Sequence, residues 1–193
     1  MIKLLLTSLL AAFSFTCLTS CIPTIIAGTA TGASVATDRR STGAIVDDRT
    51  IEVKALQKVG DQPFYKQTHV SAISYNARLI LIGQVPSAYD AETLVTAMQT
   101  IPKVRQVVNE LEVGPPIGFT TRSSDTLITS KVKSALLAEK NLNSNAFKVV
   151  TENGVVFLIG LVTYEEGNKA SEVTRQIGGV KKVTRVFEFT TQP

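Results

Sequence analysis

The chain has 193 residues and a formal net charge of +4 at pH 7. This length suits one ordinary domain or two small ones, and it excludes a barrel enzyme of about 250 residues. Hydrophobic residues make up 44% and charged residues 19% of the chain, which excludes a protein that is disordered throughout. Cys17 and Cys21 are the two cysteines, and both lie too close to the N-terminus to cross-link a folded core.

Residues 1–20 have the pattern of a signal peptide. Lys3 is followed by residues 4–18, which are apolar or small and uncharged. This stretch is shorter than the ~20 residues that span a bilayer, and it fits the apolar region of a signal peptide. It ends in a leucine, two small residues and Cys21, a pattern that resembles a bacterial lipobox. The resemblance implies cleavage before Cys21 and acylation of that residue, for example by palmitate; an ordinary signal peptide is the alternative.

Residues 21–45 are predicted to be the lipidated cysteine and a flexible tether. The stretch 22–45 is rich in Thr, Ala, Gly and Ser and has few residues that form a core. Two or more acyl chains anchor a protein stably in a membrane. Ile22 follows the cysteine, where an aspartate would resemble a signal for retention in the inner membrane. We therefore expect a lipid anchor in the outer membrane, on its periplasmic face.

The rest of the chain contains one unit twice. A shift of 77 residues brings Asp48 onto Asp125 and Asn76 onto Asn153, and a shift of 76 relates the last parts of the two units. Twelve identities follow in order at these two spacings. Such an internal repeat predicts two copies of one structural unit.

The repeat predicts two domains, residues 46–113 and 124–193, joined by a linker at 114–123. Paired prolines at 115 and 116 make this linker stiff rather than flexible. The sequence leaves open whether the two domains pack together.

Each domain is predicted to be a helix, two strands, a second helix and a last strand. In chain order the elements are helix 48–59, strands 69–75 and 78–85, helix 87–100, strand 104–113, helix 125–139, strands 147–152 and 155–162, helix 164–177 and strand 180–189. Asn76-Ala77 and Asn153-Gly154 are predicted hairpin turns, and Ser124 or Asp125 a predicted N-cap. The predicted fold class is α+β, with a three-stranded mixed sheet on two helices in each domain.

This order of elements, with a glycine after Leu-Ile and a Gly-Val-x-x-Val start to the last strand, resembles the BON domain. Residues 179–183 carry that start intact, whereas residues 102–107 keep the valines and lack the glycine. Over essentially the whole mature chain, the sequence is similar to the dual-BON outer-membrane lipoproteins of the DolP family. The lipobox and the repeat carry this resemblance together with short motifs at 36–41, 46–48, 116–118, 124–126 and 151–154.

The sequence contains no pattern typical of a catalytic, metal or cofactor site. His69 is the single histidine and has no cysteine or second histidine at ligand spacing. The carboxylate pairs Asp47-Asp48 and Glu165-Glu166 are predicted at helix N-termini, where they offset the helix dipole. Hydrolase, P-loop and dinucleotide motifs are absent. We therefore expect no enzyme activity, no cofactor and no metal ion.

Charge divides unevenly between the two domains. Residues 46–113 hold seven Lys/Arg and eight Asp/Glu, a net charge of −1, and residues 114–193 hold ten and seven, a net charge of +3. A periplasmic location excludes nucleic acid as a ligand. The basic second domain therefore favours an anionic membrane or an acidic partner.

The helix predicted at 125–139 carries two leucines away from its core stripe. At 100° per residue its core stripe consists of Ile128, Val132, Ala135, Leu136 and Glu139. Leu127 and Leu137 lie outside this stripe, beside Lys131 and Lys133. An apolar side chain flanked by lysines can enter the headgroup layer of a membrane. The alternative is that Leu127 packs against the linker or the first domain, and Leu137 against the hairpin. The first-domain helix differs, because its predicted off-core residues are Glu52, Gln57 and Lys58.

The family resemblance implies that the second BON domain binds anionic phospholipid, cardiolipin or phosphatidylglycerol, through this helix. The predicted contact residues are Leu127, Ser130, Lys131, Lys133, Ser134 and Leu137. Leu127 stands where the family has an aromatic residue. The resemblance also implies support of outer-membrane integrity, enrichment at the cell division site and contact with the outer-membrane protein assembly machinery. The alternative function is an interaction scaffold that docks an acidic envelope protein.

Overall fold

The computed structural model describes residues 38–191. These residues belong to one compact unit. The predicted signal peptide, Cys21 and the predicted tether as far as residue 37 lie outside the described residues.

The first domain contains two helices and three strands. Helix α1 spans Thr42–Gly60, strand β1 His69–Tyr75, strand β2 Arg78–Val85, helix α2 Ala88–Gln99 and strand β3 Gln106–Val113. Strand β2 is central, antiparallel to β1 and parallel to β3.

The second domain repeats this topology. Helix α3 spans Phe119–Ala138, strand β4 Phe147–Glu152, strand β5 Val155–Val162, helix α4 Tyr164–Arg175 and strand β6 Lys182–Phe189. Strand β5 is central, antiparallel to β4 and parallel to β6. The predicted α+β class and the predicted order of elements are therefore confirmed in both domains.

The first helix of each domain begins earlier than predicted. Helix α1 begins at Thr42, so the last four residues of the predicted tether at 21–45 are helical. Helix α3 begins at Phe119, inside the predicted linker at 114–123, and its N-cap is Gly118 rather than Ser124 or Asp125. The first buried residue of α3 is Asp125. The helix therefore starts without the apolar stripe from which a helix can be predicted.

Two aspartates fix these helices to the hairpins of their domains. Asp48 lies inside α1 rather than at the predicted helix N-terminus, and it accepts both backbone N–H groups of the turn at 76–77 at 2.8 Å. Asp125 does the same in α3 for the turn at 153–154, also at 2.8 Å. These contacts explain why aspartate recurs at the same place in both repeats. The prediction for Glu165-Glu166 is confirmed, since both lie in the first turn of α4.

Each sheet is buried on both faces. Leu79 and Leu81 of β2 pack with residues of α1 and α2, while Ile80 and Ile82 belong to a separate cluster that includes Phe157 of β5. A third cluster joins α3 to the other face of the second sheet. The two domains therefore pack sheet against sheet through an apolar core, a point that the sequence leaves open.

Residues just before α1 bind both domains. Arg39 donates to both carboxylate oxygens of Glu166, in the second domain, at 2.8 and 2.9 Å. Arg40 pairs with Asp48, in the first domain, at 2.8 Å. This segment is therefore held by charge-assisted hydrogen bonds, whereas the sequence pattern predicts a flexible tether here.

Two contacts between the domains involve residues that are 77 positions apart in the chain. The Tyr75 hydroxyl donates to the backbone carbonyl of Ala146 at 3.2 Å. Glu152 is the equivalent of Tyr75, and its Oε2 lies 3.7 Å from Nε2 of His69, the equivalent of Ala146. The same pair of positions is therefore in contact on both sides of the interface, once through a tyrosine hydroxyl and a backbone carbonyl and once through a carboxylate and an imidazole.

Candidate functional site

Helix α3 joins the core of the second domain along one stripe. Ile128, Val132 and Leu136 are buried in that core. Ala135 is half-buried, and Glu139, at the C-cap, pairs with Lys169 at 3.0 Å. The predicted core stripe of this helix is therefore confirmed at its three largest apolar residues.

Two leucines of α3 lie on its solvent side. Leu127 is 63% exposed and Leu137 is 74% exposed. The alternative in which they pack against the linker, the first domain or the hairpin is therefore wrong. Exposed leucines are unremarkable singly, but two on one helix leave apolar area available for a partner.

The other four predicted contact residues are exposed on the same helix. Lys131 and Lys133 form no ion pair within residues 38–191. Ser134 is exposed, and the exposed Ser130 donates its hydroxyl to the backbone carbonyl of Thr126 at 3.0 Å. All six residues therefore lie together on one helix, with two cations whose charge the described part of the chain does not neutralise.

Phe119 is a further exposed apolar residue that the sequence pattern missed. It is the first residue of α3 and is 78% exposed. It precedes Leu137 by 18 residues, which is five turns, so the two side chains lie on one side of the helix about 27 Å apart. Phe119 lies inside the predicted linker at 114–123, so the sequence pattern does not place it on a helix. The signal that could have identified it is the spacing of five helical turns between Phe119 and Leu137.

Helix α1, the equivalent of α3, also carries exposed apolar side chains. Val46, Val53 and Leu56 are all exposed, so the prediction of only polar residues off the core of this helix is wrong. Glu52, one of those predicted off-core residues, is buried. The difference between the helices therefore lies in their charges as much as in their apolar residues.

Charges next to α1 are paired with each other. Glu52 accepts hydrogen bonds from Lys148 at 2.6 Å and from Arg49 at 2.8 Å. Burial opposes ionisation of Glu52, but the hydrogen bonds from Lys148 and Arg49 keep its pKa below the ordinary value. Lys148 and Arg49 are therefore already paired next to α1.

Two grooves lie beside these helices at positions that the repeat relates. The first-domain groove, with a volume of about 350 Å³, is lined by residues that include Asp48, Arg49, Glu52, Ser74, Tyr75 and Lys148. The second-domain groove, with a volume of about 460 Å³, is lined by residues that include Ser71, Asp125, Thr126, Thr129, Thr151 and Glu152.

Glu152 is the one buried carboxylate of the second-domain groove that lacks a full set of partners among the described residues. It is 8% exposed, and its Oε1 accepts no hydrogen bond within residues 38–191. Burial raises the pKa of Glu152 above the ordinary value, although the side chain of Gln84 and the nearby His69 oppose this shift. The Nε2 of Gln84, a buried donor that also has no partner within residues 38–191, lies beside this carboxylate.

Two features are absent from residues 38–191. No group of three or more His, Cys, Asp and Glu side chains in this part of the chain could hold a metal ion. No helix in the same part is long and apolar enough to cross a membrane.

Comparisons with known proteins agree with the two-domain arrangement. The BON domain family matches residues 47–115 and 124–191. Outer membrane lipoprotein DolP of Haemophilus influenzae is 40% identical over 173 residues, which cover 89% of this chain and 90% of that protein.

Two further relatives match over somewhat less of the chain. The 21 kDa hemolysin of Actinobacillus pleuropneumoniae is 34% identical over 153 residues, 79% of each protein. Osmotically-inducible protein Y of Escherichia coli is 30% identical over 158 residues, 79% of this chain and 77% of that protein.

Proposed function

Because the chain belongs to the DolP family of outer-membrane lipoproteins with two BON domains, we propose that it is anchored by lipid at Cys21 and binds anionic phospholipid through α3. The observation that carries this proposal is the presence of Leu127 and Leu137, both exposed, beside two lysines that have no ion pair within residues 38–191.

The two kinds of side chain contribute in different ways. Burying a leucine side chain is worth about 1.5–3 kcal/mol when it leaves water completely, so partial insertion of Leu127 and Leu137 supplies an apolar term. Each lysine near an anionic surface adds about 1 kcal/mol, and Lys131 and Lys133 are placed to meet lipid phosphates. Neither term alone gives stable binding, and together they favour an anionic over a neutral membrane.

Phe119 extends this surface toward the start of the helix. Phenylalanine is one of the apolar residues with which amphipathic helices enter a membrane interface, and Phe119 lies on the same side of α3 as Leu137. The family's aromatic residue is replaced by Leu127 in this chain, so Phe119 offers a substitute for it at another position of the helix. We place Ser130 and Ser134 in the same contact; Ser134 offers its hydroxyl to a phosphate oxygen, whereas the Ser130 hydroxyl donates to the carbonyl of Thr126.

The lipid anchor keeps the second domain near the membrane that it contacts. An acyl anchor and a basic apolar surface are two signals, and two signals give stable attachment where one does not. The mass of the protein extracted from membranes tests this part of the proposal. Cleavage before Cys21 with added acyl groups is expected, and a Cys21→Ala chain is expected to lose its membrane attachment.

The contact surface is tested with vesicles and a chain that begins at Ile22. This chain retains every residue of the three apolar cores, all of which lie within residues 38–191. It is expected to bind vesicles that contain cardiolipin or phosphatidylglycerol and not vesicles of phosphatidylcholine alone. Lys131→Glu and Leu137→Asp are each expected to weaken binding at least about tenfold, the factor that corresponds to 1.4 kcal/mol.

Matched controls come from the first domain. Lys54→Glu changes the lysine that the repeat relates to Lys131, and Leu56→Asp changes an exposed leucine of α1. Both control variants are expected to bind as the unchanged chain does. If the Lys131→Glu and Leu137→Asp variants bind vesicles as tightly as the unchanged chain does, the assignment of the contact to α3 is wrong.

The alternative function is a scaffold that docks an acidic envelope protein. It predicts that the chain from Ile22 binds no anionic vesicle, while Lys131→Glu still weakens its capture of an acidic partner.

From the family resemblance we propose that the protein supports outer-membrane integrity, is enriched at the division site and contacts the outer-membrane protein assembly machinery. Fluorescence imaging of the tagged protein and permeability of a deletion strain test these roles.

A further inference from the structure

We infer that the free edge of strand β6 binds an extended acidic segment of a partner protein, which pairs with β6 as an added strand. This edge lies away from the proposed lipid contact. Helix α4 packs on β6 through Gly167 and Phe187, whereas α3 contacts β4 through Thr129 and Thr151. The inference goes beyond the proposed function and does not depend on it.

The backbone of β6 has hydrogen-bonding groups on the side that faces away from β5. The strand order β4-β5-β6 gives β6 one strand neighbour among the described residues. Just past β6, Thr190 donates its N–H to the carbonyl of Val162 in β5 at 3.0 Å. Because these groups alternate in direction along a strand, those of Phe187 and Phe189 point away from β5. Arg78 of the first domain agrees with this direction, since it donates to the Phe187 carbonyl at 3.0 Å.

An exposed pair of aromatic side chains lies beside this edge. Phe189 is 57% exposed, and its ring lies 5.6 Å from that of Tyr164, the first residue of α4. The ring of Phe187 is 6.1 Å from that of Phe189. An added strand places every second side chain on this face of the sheet. An apolar side chain of the ligand therefore has aromatic rings to contact.

The charges along the edge favour an acidic ligand. Glu188 is the one acidic residue of β6, and Arg105 already pairs with it at 3.0 Å. Three further cations lie on the strand or at its edge and form no ion pair within residues 38–191, namely Arg78, Lys182 and Arg185. Like charges opposite each other destabilise strand pairing, so this edge disfavours β6 of a second copy and favours glutamate or aspartate.

The equivalent edge of the first domain, along β3, lacks both features. At a shift of 76 residues Arg185 corresponds to Asn109, whose Oδ1 accepts the N–H of Leu111 at 3.1 Å. Leu111 corresponds to Phe187, so the donor that is offered on β6 is already used on β3. Strand β3 also contains two glutamates and no lysine or arginine. The two edges therefore share a fold and differ in their donors and charge.

The test uses three octapeptides without any vesicle. One alternates valine with glutamate, one alternates valine with lysine, and one alternates proline with glutamate. The chain from Ile22 is expected to bind the first and to bind the second at least about tenfold more weakly, because like charges would then meet along the edge. The third has the charge of the first but cannot pair as a strand, and it is expected to bind at least about tenfold more weakly as well.

Hydrogen exchange identifies the strand that the peptide joins. At a saturating concentration of the valine–glutamate peptide, exchange of the Phe187 and Phe189 amides is expected to slow at least about tenfold. The amide of Leu111 on β3 is the internal control and is expected to exchange at the same rate with and without peptide.

Two variants assign the contact to side chains of β6. Arg185→Glu and Phe189→Ala are each expected to weaken binding of the valine–glutamate peptide about three- to tenfold. The matched controls on β3 are Asn109→Glu and Val113→Ala, at the positions that the repeat relates to these two. Both controls are expected to bind the peptide as the unchanged chain does.

The outcomes separate this inference from the proposed function. Equal binding of the three peptides, or peptide binding without protection of the Phe187 and Phe189 amides, would overturn the inference. Protection of these amides in a dimer without peptide would assign the edge to a second copy and would also overturn it. Lys131→Glu is expected to leave peptide binding unchanged, and Arg185→Glu to leave vesicle binding unchanged. Peptide binding in a chain that binds no anionic vesicle would therefore overturn the proposed function alone.

Discussion

The two domains have the same fold, yet the cations around their first helices are used differently. Next to α1, Lys148 and Arg49 are bound by Glu52, and Arg40 is bound by Asp48. On α3, Lys131 and Lys133 have no such anion within residues 38–191. Asp48 and Asp125, which are identical in the two repeats, hold helix to hairpin in both domains, whereas Glu52, which pairs two cations, is Thr129 in the second domain.

The largest expected effect concerns Gly83 of β2 and Gly160 of β5, which occupy the same position in the two central strands. A Cβ at Gly83 would overlap the backbone carbonyl of His69, and Gly83 also has a φ of +131°. A Cβ at Gly160 would meet the carbonyl of Ala146, without a positive φ. Gly83→Ala is expected to lower the free energy of unfolding by about 3–6 kcal/mol and Gly160→Ala by about 1–3 kcal/mol.

Urea unfolding of both variants measures this difference. The control is Gly60→Ala, where no atom lies within 4 Å of the added carbon, so the change is expected to be neutral or slightly stabilising. A larger loss for Gly160→Ala than for Gly83→Ala would show that backbone conformation is not the deciding factor.

The second prediction concerns the two aspartates that fix helix to hairpin. Asp48→Ala removes a partner of Arg40 and of Ser74 as well as the acceptor of two backbone N–H groups. The expected loss in the free energy of unfolding is about 3–5 kcal/mol. Asp125→Ala removes only the acceptor of two backbone N–H groups, and the expected loss is about 2–3 kcal/mol.

Unfolding in urea also checks this pair of variants. Asp47→Ala is the control, because Asp47 forms an exposed ion pair with Lys103, which is worth about 0–1 kcal/mol. Equal losses at Asp48 and Asp125 would mean that Arg40 contributes nothing to the first domain.

The third prediction concerns two carboxyls with opposite pKa shifts. Glu52 has a folded-state pKa below its ordinary value of 4.5, so its stabilisation is present above that value and is lost as the pH falls. Glu152 has a folded-state pKa above 4.5, so stability falls as the pH rises through and above that value. Glu52→Gln is therefore expected to destabilise the fold at pH 7 by about 1–2 kcal/mol, and Glu152→Gln to stabilise it slightly.

Unfolding experiments over a range of pH decide this point. The differences between each variant and the unchanged chain are expected to shrink as the pH falls below 4.5. If both variants were destabilised at pH 7 to the same extent, the contrast between the two grooves would be lost.

The smallest expected effect concerns the start of α3. Phe119→Ala is expected to weaken binding to phosphatidylglycerol vesicles about three- to tenfold, because it removes apolar area from the proposed contact. Tyr89→Ala is the matched control, since Tyr89 is 76% exposed on the first domain. If Tyr89→Ala weakened binding as much as Phe119→Ala, the contact would not be confined to the second domain.

Much of the fold could be predicted because apolar periodicity and turn chemistry act locally. The hairpin turns follow from Asn76 and Asn153, which adopt positive φ angles of 52° and 50°. The exposed leucines of α3 follow from the helical period alone. The start of that helix could not be predicted in this way, because the residues from Phe119 to Asp125 contribute no apolar side chain to the core.

The residues that pair with a given charge also cannot be predicted from local sequence patterns. Arg39 meets Glu166 from a distance of 127 residues along the chain, and Lys148 meets Glu52 from 96 residues away. Both contacts exist only because the two sheets pack on each other. The sequence shows the charges, and the packing shows which of them are paired.

Two copies of one α+β unit, with a basic second copy, can be predicted from the amino-acid sequence alone, because a repeat and a charge count need no coordinates. The same holds for the leucines that leave the core stripe of α3, since helical geometry is periodic. The packing of the two domains into one unit, and the pairing of Glu52 with Lys148 and Arg49, follow from the three-dimensional arrangement and not from local sequence patterns. Ion pairing depends on distances of a few ångströms between residues far apart in the chain, and the packing of the two sheets sets those distances.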